Sequence, residues 1–572
     1  MLFLHYSIDI TETIEYISKQ MKICLIRPPI FCRSLTYPSG PRFGLPLSLL
    51  YLGASIEQAG HEAAVYDALT DFCGGVHNIL PDDSGIYHIG ASYESIGQKV
   101  SEINPDIVGI TNPFSDFLSC TIQTASSIKA IMPNVPVIVG GPHATSDPAA
   151  FLYDGGPVDY VMRAECELSI LKFLKVLGDG GGIPRSSDSA AISDLSSRPD
   201  FSSIPNLAYL HEGKIKTTAP GSFIADLDSL PLPAYHLVDV EKSFSLVKDG
   251  FPSRYSFEYS GSHREISIIT SRGCPYDCVF CGNHLHMGRK WRYHSVDYIM
   301  KHIEFLVTRY DVRHLHIEDD NLGMDPARFQ NFLDALIAKN WGITWDTPNG
   351  IRADRMNAEI IAKAKKSGCT YLIFGVESGN QRVLDKIVKK NLDLDAVEKI
   401  AHSAYRHKLD IHAFCVVGFP GETKDEINDT FRYALKLLSR YDVIPHLCLA
   451  RPLPGTRLYK ICEESGYLTE PILPEIGKGL RGEMFNRQMI KTDEFSPELL
   501  EKLVSGFNRK IMISIIVKSI LFLLIHPKAA YKVIKNFTKT QGRLREKVVK
   551  MFFGGLFFKF NYLVSPTCRE AP

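Results

Sequence analysis

Ser271-Arg-Gly-Cys-Pro-Tyr-Asp-Cys-Val-Phe-Cys-Gly-Asn283 places Cys274, Cys278 and Cys281 in one short loop. The spacing Cys-x3-Cys-x2-Cys offers three thiolates, one fewer than a four-iron cluster held wholly by cysteine requires. A cubane held this way keeps one iron open to the amine and carboxylate of a small molecule. The rival reading is a zinc loop, which normally takes a fourth protein ligand near by, and His284 and His286 are the candidates for it.

Downstream of this loop, short apolar runs alternate with helical stretches. Strands are expected at 266–270, 313–317, 344–346, 371–374, 411–417 and 447–450, with helices at 296–310, 326–339, 358–367, 394–408 and 424–439. Six strands separated by five helices make a partial TIM-type barrel, whose chemistry belongs at the carboxyl ends of the strands. The polar clusters fall there in order: the cysteine loop, Glu318-Asp-Asp-Asn321, Asn349-Gly-Ile-Arg352, Gly375-Val-Glu-Ser-Gly379, Gly418-Phe-Pro-Gly-Glu422 and Arg451-Pro-Leu-Pro-Gly-Thr456. They are expected to face one cavity. Taken alone, the acids Glu318, Asp319 and Asp320 also fit a solvated turn or a magnesium loop. Arg352 and Glu377 equally fit a structural ion pair at the barrel rim. Cys369, Cys415 and Cys448 read as small buried apolar side chains.

Upstream, from Met21, a second alternating series reads as a doubly wound parallel sheet, with strands at 22–26, 61–66, 106–110, 137–139 and 159–162 and helices at 46–59, 122–131 and 168–177. Ligands of such a sheet sit beyond the carboxyl ends of its strands, where Pro28-Pro29, Thr111-Asn-Pro113, Gly140-Gly-Pro-His143 and Arg163-Ala-Glu-Cys-Glu167 fall. The adjacent Gly140 and Gly141 let backbone approach a flat ligand closely. His143 is read as a turn residue touching backbone in preference to a metal ligand. No Gly-x-Gly-x-x-Gly follows the first strand, which argues against a dinucleotide.

The barrel clusters, from Glu265 to about Leu468, resemble those of radical S-adenosylmethionine (SAM) enzymes. The phrases Pro28-Pro29, Pro46-Leu-Ser-Leu-Leu-Tyr-Leu-Gly53, Ala59-Gly-His61, Tyr66-Asp-Ala68 and Gly140-Gly-Pro-His-Ala-Thr145 resemble the cobalamin-binding domain fused to many of them. The resemblance implies one 4Fe-4S cluster on Cys274, Cys278 and Cys281. It also implies SAM contacts from Glu318, Asp319 and Asp320 (amino group), Arg352, and Glu377 and Ser378 (ribose and carboxylate), with Phe280 and Gly418 bordering the adenine. Thr111, Gly140, Gly141 and His143 then stand at the cobalamin pocket. Two departures are visible. The Asp-x-His-x-x-Gly loop is absent after the first strand, which implies a cobalt without a protein histidine below it, and the usual Gly-Glu-Gly-Glu is here Ala164-Glu-Cys-Glu167.

The implied activity is reductive cleavage of SAM to a 5′-deoxyadenosyl radical, hydrogen abstraction from an unactivated carbon of a hydrophobic substrate, and methyl transfer from methylcobalamin. The alternatives are a radical cyclase of the same architecture, a methylthiotransferase with a second cluster drawn from Cys24, Cys32, Cys73 and Cys120, and a non-catalytic cobalamin or redox sensor. A one-electron donor such as flavodoxin or ferredoxin is implied as a partner.

Four segments follow: a cobalamin-type domain at 21–177, a linker with a small hairpin at 178–264, the barrel at 265–468 and an apolar, basic, helical segment at 469–572. Lys+Arg and Asp+Glu both number 64 in 572 residues, so no long-range pull toward nucleic acid is expected. The thirteen cysteines show no disulfide framework, and a cluster loop implies an anaerobic, reducing cytoplasm. The first residues are not patterned as a signal peptide. Near the other end, Ile511 to Ile525 is apolar but broken by Lys518, eight Lys or Arg follow between residues 528 and 550, and Met551-Phe-Phe-Gly-Gly-Leu-Phe-Phe558 closes the series. Two readings remain: a segment lying on the inner face of an anionic membrane, suited to a lipid, isoprenoid or tetrapyrrole substrate, or a helical cap on the barrel.

Overall fold

The computed structural model describes residues 20–32, 42–72, 86–178, 200–249, 251, 262–469 and 489–525. Residues 1–19, Cys73, the link at 179–199 and the basic and aromatic tail at 526–572 lie outside the described residues. The chain forms two compact units, the first made mostly of Ile89–Asp239 with Met1–Ile30 and Pro46–Asn78, the second mostly of Val240–Pro572.

In the first unit, β1 (Lys22–Arg27), β2 (Glu62–Asp67), β3 (Ile107–Thr111), β4 (Val137–Gly140) and β5 (Tyr160–Met162) run parallel in the order β2-β1-β3-β4-β5. This is the flavodoxin-like order of a doubly wound sheet, with its switch point between β1 and β3. Alternation along β1 explains the two faces. Ile23 and Leu25 pack with Leu49 and Ile56 of α1 (Leu47–Gln58) and with Ile170 and Phe173 of α4 (Glu167–Gly178). Cys24 and Ile26 pack with Ile96 and Val100 of α2 (Tyr93–Ile103) and Ala125 and Ile128 of α3 (Leu118–Ile131). Successive side chains leave a strand on opposite faces, so both sides of the sheet are covered.

Helix α2 was not anticipated from the sequence. Its start is marked by the Ser92 side chain, which accepts a hydrogen bond from Ser95 N, and its end by left-handed Asn104. The hairpin expected within the connector is present as β6 (Leu207–His211) and β7 (Lys214–Thr217). It extends the first sheet, β6 pairing antiparallel with β5.

In the second unit, β8 (Glu265–Ile268), β9 (His314–Ile317), β10 (Thr344–Ile351), β11 (Cys369–Glu377), β12 (Asp410–Val417) and β13 (Ile444–Leu449) form one parallel sheet in sequence order, a partial barrel. The intervening helices are α5 (Val296–Tyr310), α6 (Pro326–Lys339), α7 (Ala358–Lys366), α8 (Leu394–Arg406) and α9 (Lys424–Tyr441). Each begins at a side-chain cap: Ser295, Asp325, Asn357, Asp393 and Thr423, the last in a full capping box with Glu426.

After α10 (Arg457–Glu464), helix α11 (Pro497–Ile525) packs on the same unit. Phe507 stacks on Phe431 with ring centroids 4.5 Å apart, and Lys518 donates to the Leu438 carbonyl at 2.8 Å and pairs with Asp442. The Lys518 that interrupts the apolar run is thus the residue that fastens it. No helix among the described residues is long and apolar enough to cross a membrane.

Candidate functional site

The cysteine loop leaves the carboxyl end of β8 through a two-residue antiparallel pairing, Ser271–Arg272 with Arg292–Tyr293. Gly273 sits at φ +84°, and a Cβ there would lie 2.4 Å from the Lys290 carbonyl, so only glycine passes this point. Cys274 N donates to Gly288 O at 3.2 Å and Cys281 N to Cys278 O at 3.1 Å. Val279 N donates to Val388 O at 3.0 Å, and Leu458 N donates to Val279 O at 2.9 Å, which ties the loop to two distant parts of the barrel.

All three thiols are free and partly exposed. Burial raises each of them, Cys281 to about 12. The histidines considered as zinc ligands turn elsewhere: His284 bonds to the Cys281 backbone, His286 to that of Gly282, and burial pushes His286 down to about 4. Among the described residues, the one group of three or more His, Cys, Asp or Glu that closes around a single-ion position lies on other strands and excludes these cysteines. Three soft thiols of one loop that do not converge on one ion suit the larger frame of a cubane.

The acidic run after β9 divides its work. Asp319 is buried, and Oδ1 accepts from Thr270 N while Oδ2 accepts from Thr270 Oγ1 and Ser271 Oγ, each at 2.6 Å. Asp320 Oδ2 accepts from Gly273 N at 2.8 Å. These two acids therefore anchor the cysteine loop, and Glu318 remains partly exposed at the strand end. Arg352 is committed to its neighbours: it chelates Asp354 at 3.0 and 2.6 Å, donates to the Lys390 and Asn391 carbonyls, and lies 3.8 Å from the ring centre of Tyr276 in the cysteine loop.

Glu377, left-handed at φ 63°, pairs with Lys390 at 2.7 Å. Lys390 and Arg352 each act to lower the Cys278 thiol against the larger effect of burial, so these cations stand near it. Ser378 is buried against Thr430, Oγ to Oγ1 3.0 Å. Gly418 N and Phe419 N both donate to buried Glu422, at 2.7 and 3.1 Å, and the Phe419 ring lies 5.9 Å from that of Phe280. The structure thus gathers Cys274, Cys278, Arg352, Glu377, Asp319 and Asp320 around one loop. Lys390, within the basic pair Lys389-Lys390, stands beside the cysteine loop although the sequence does not single it out, and Glu422, the last residue of the cluster after β12, holds the Gly418 turn. A basic pair ordinarily reads as solvated, and only the fold reveals that Lys390 is buried. Cys369 and Cys415 are buried, as expected of small apolar side chains, whereas Cys448, expected to be buried with them, is only half-buried near the end of its strand, and Cys24 lies in the core of the first unit.

In the first unit, Thr111, Gly140, Gly141 and His143 meet at the carboxyl ends of β3 and β4. Gly141 has φ +112°, and a Cβ there would lie 2.5 Å from the Asn112 carbonyl. His143 is buried in the short helix Pro142–Ser146, its Nδ1 3.1 Å from Ser115 Oγ, and burial holds it down to about 4. His143 Nε2 and Asn112 Oδ1 are buried without a hydrogen-bond partner. Unsatisfied buried polar atoms beside a glycine-lined close approach suit a bound group with its own polar edge.

Sequence profiles of two families match this chain, the B12 binding domain over residues 42–172 and the Radical SAM superfamily over residues 268–434. The cytidylyl-2-hydroxyethylphosphonate methyltransferase of Streptomyces wedmorensis is 28% identical over 440 residues, 75% of this chain and 79% of its own. The anaerobic magnesium-protoporphyrin IX monomethyl ester cyclase of Synechocystis sp. is 24% identical over 431 residues, 73% of each chain. Among solved structures, the radical S-adenosylmethionine methyltransferase TsrM from Kitasatospora setae, with cobalamin and a [4Fe-4S] cluster bound, aligns with a TM-score of 0.57 at 16% identity, over 82% of this chain and 85% of that one.

Proposed function

Because the chain belongs to the radical SAM enzymes that carry a cobalamin-binding domain, we propose that it methylates an unactivated carbon of a hydrophobic substrate. One observation carries this reading. A three-thiol loop at the end of a barrel strand and a β2-β1-β3-β4-β5 sheet stand in one chain, and a methyltransferase relative matches three quarters of it. When bound, the cluster and SAM supply a carbon-centred radical, and cobalamin supplies the methyl group.

The chain's own residues supply position. Cys274, Cys278 and Cys281 would hold the cluster. Asp319 and Asp320 fix the loop, which moves their expected contact with the SAM amino group to Glu318. Lys390 and Glu377 set the charge beside Cys278, polar groups at the same strand ends would read the ends of SAM, and Phe280 and Gly418 would border its adenine. Arg352 acts through Tyr276 and the Lys390 backbone, holding the loop from its outer side. Thr111, Gly140, Gly141, Asn112 and His143 would line the cobalamin pocket, with His143 Nδ1 turned to Ser115 Oγ.

The test is anaerobic reconstitution with iron, sulfide, SAM and hydroxocobalamin, followed by mass spectrometry of the product. Gain of one CH2 supports methylation; loss of hydrogen with no carbon gained supports the cyclase reading, which the Synechocystis relative favours. Cys278→Ala is expected to abolish SAM cleavage and to keep cobalamin. Loss of both would overturn the assignment of the two cofactors to separate units.

The substrate class is proposed as a lipid, isoprenoid or tetrapyrrole, with a flavodoxin or ferredoxin as electron donor in the cytoplasm. A peripheral membrane contact through α11 is proposed on the exposure of Ile513, Val517 and Leu524 and on the basic run that follows in sequence. Co-sedimentation with anionic vesicles checks it, and retention of binding after Ile513→Glu and Val517→Glu would refute it.

A further inference from the structure

Toward the amino-terminal ends of the barrel strands, on the far side from the cysteine loop, three polar side chains stand where apolar packing is the rule. His314 and His316 lie two apart on β9 and so share a face. The strand register pairs His314 with Glu265 and with Thr344, and His316 with Asp346. His314, His316 and Asp346 expose 1% or less of their side chains. His314 Nε2 is 3.1 Å from one Asp346 oxygen and His316 Nδ1 is 2.9 Å from the other. One donor atom from each of the three can be chosen so that all lie within 4.8 Å of one another.

We propose that His314, His316 and Asp346 hold a divalent first-row metal ion, of the class represented by zinc. Two imidazole nitrogens and a carboxylate oxygen are a donor set of zinc and of non-haem iron. Ligands about 2.0–2.1 Å from one tetrahedral ion stand roughly 3.3 Å apart; the two separations here are hydrogen-bond distances to different Asp346 oxygens, so an ion entering between the rings would turn the carboxylate to meet both imidazoles.

A second, independent observation concerns the ring nitrogens left over. His314 Nδ1 lies 2.7 Å from Thr344 Oγ1, whereas His316 Nε2 makes no hydrogen bond and has the Glu265 carboxylate 3.7 Å away. Histidines that bind metals almost always give their other nitrogen to such an outer partner, which fixes the tautomer and aims the ligating atom. The rival occupant is a proton on His316, which Asp346 and Glu265 favour. Metal entry displaces that proton and transfers no electron. Placed among the strands and away from the thiols, the ion has a structural role. It joins β9 to β10, with Glu265 extending the hold to β8.

The test uses full-length protein expressed with added zinc and reconstituted with its iron-sulfur cluster. Metal analysis and zinc-edge X-ray absorption are expected to find about one zinc per chain with nitrogen and oxygen neighbours at about 2.0–2.1 Å and no sulfur at about 2.3 Å. Asp346→Asn, close in size, is expected to lose zinc at least tenfold, and Glu265→Gln to weaken it roughly 10–100-fold. Should His316→Ala fail to fold, these two variants carry the comparison, with circular dichroism and iron content as controls. Absence of zinc overturns the proposal, since for a given nitrogen and oxygen site iron and manganese bind more weakly than zinc. Zinc on sulfur, or zinc on nitrogen and oxygen that Asp346→Asn leaves in place, overturns it as well.

Discussion

Glu377 Oε1 and Lys390 Nζ meet at 2.7 Å with only 9% of either side chain exposed, beside the loop that carries Cys278. Gly375 makes room for the pair: a Cβ there would lie 2.6 Å from the ammonium and 2.9 Å from the carboxylate. Removing one partner strands the other charge in the interior. Lys390→Met is therefore expected to destabilise the second unit by about 3–5 kcal/mol, read by urea denaturation under anaerobic conditions. The double change Glu377→Gln with Lys390→Met is expected to cost much less than the two single changes summed, because no charge is left over. Additive losses would show that the pair does not act as a unit.

Asp319 spends both oxygens on Thr270 and Ser271, the residues that lead into the cysteine loop. Asp319→Ala leaves three buried donors without their acceptor, at about 1–3 kcal/mol each before relaxation. The expected outcome is a loop that no longer holds its shape: iron per chain after reconstitution falls several-fold, while cobalamin binding to the first unit is retained. Ser271→Ala, which removes one of the three bonds, is expected to show a fraction of that loss. Full iron incorporation in Asp319→Ala would assign the carboxylate another role.

Ala164 occupies the left-handed region at φ 58°, a conformation that costs a residue with a Cβ roughly 1–2 kcal/mol. Its N–H is fixed by Thr145 Oγ1 at 2.9 Å, and the Glu165 carboxylate accepts from Ile224 N at 2.9 Å, so the turn cannot relax freely. The departure from glycine noticed in the sequence thus falls where glycine fits best. Ala164→Gly is expected to stabilise the first unit by up to about 1 kcal/mol, the relief of strain being partly offset by greater freedom in the unfolded chain. Unchanged or lowered stability in a denaturant titration would contradict this.

Periodicity made most of the architecture legible. The helices expected at 296–310 and 326–339 coincide with α5 and α6 because apolar residues at helical spacing, side-chain caps and left-handed stops agree there. Strand β11 was expected at 371–374 and runs Cys369–Glu377. Its last residues bear the Gly375 and Glu377 irregularities, which propensity reads as the end of a strand. What escaped the sequence depends on partners far along the chain. Lys390 is buried with its ammonium on Glu377 and its carbonyl held by the Arg352 guanidinium. His314-x-His316 reads as part of an ordinary strand until β8 and β10 bring Glu265 and Asp346 alongside. The family resemblance makes Asp319 and Asp320 ligand contacts, yet the loop of the preceding strand claims their carboxylates first.

Glu422 is fully buried, accepts hydrogen bonds from Gly418 N and Phe419 N, and is pushed by burial up to about 7. The group's folded value lies above its unfolded one of 4.5, so between about pH 4.5 and 7 the folded chain binds the extra proton. Stability contributed here is present in full at the acid side of that window and is lost as pH rises through about 7, after which it stays flat. The size is on the order of 3 kcal/mol, since each tenfold change in proton affinity is worth about 1.4 kcal/mol. Glu422→Gln keeps an amide oxygen for both backbone donors and removes the ionisation. The variant is expected to match the parent near pH 4 and to exceed it at pH 8 by up to that amount, in anaerobic denaturation of the reconstituted protein at the two pH values. An identical pH slope in parent and variant would mean that water reaches the carboxylate, and that Glu422 holds the Gly418 turn as a charged group.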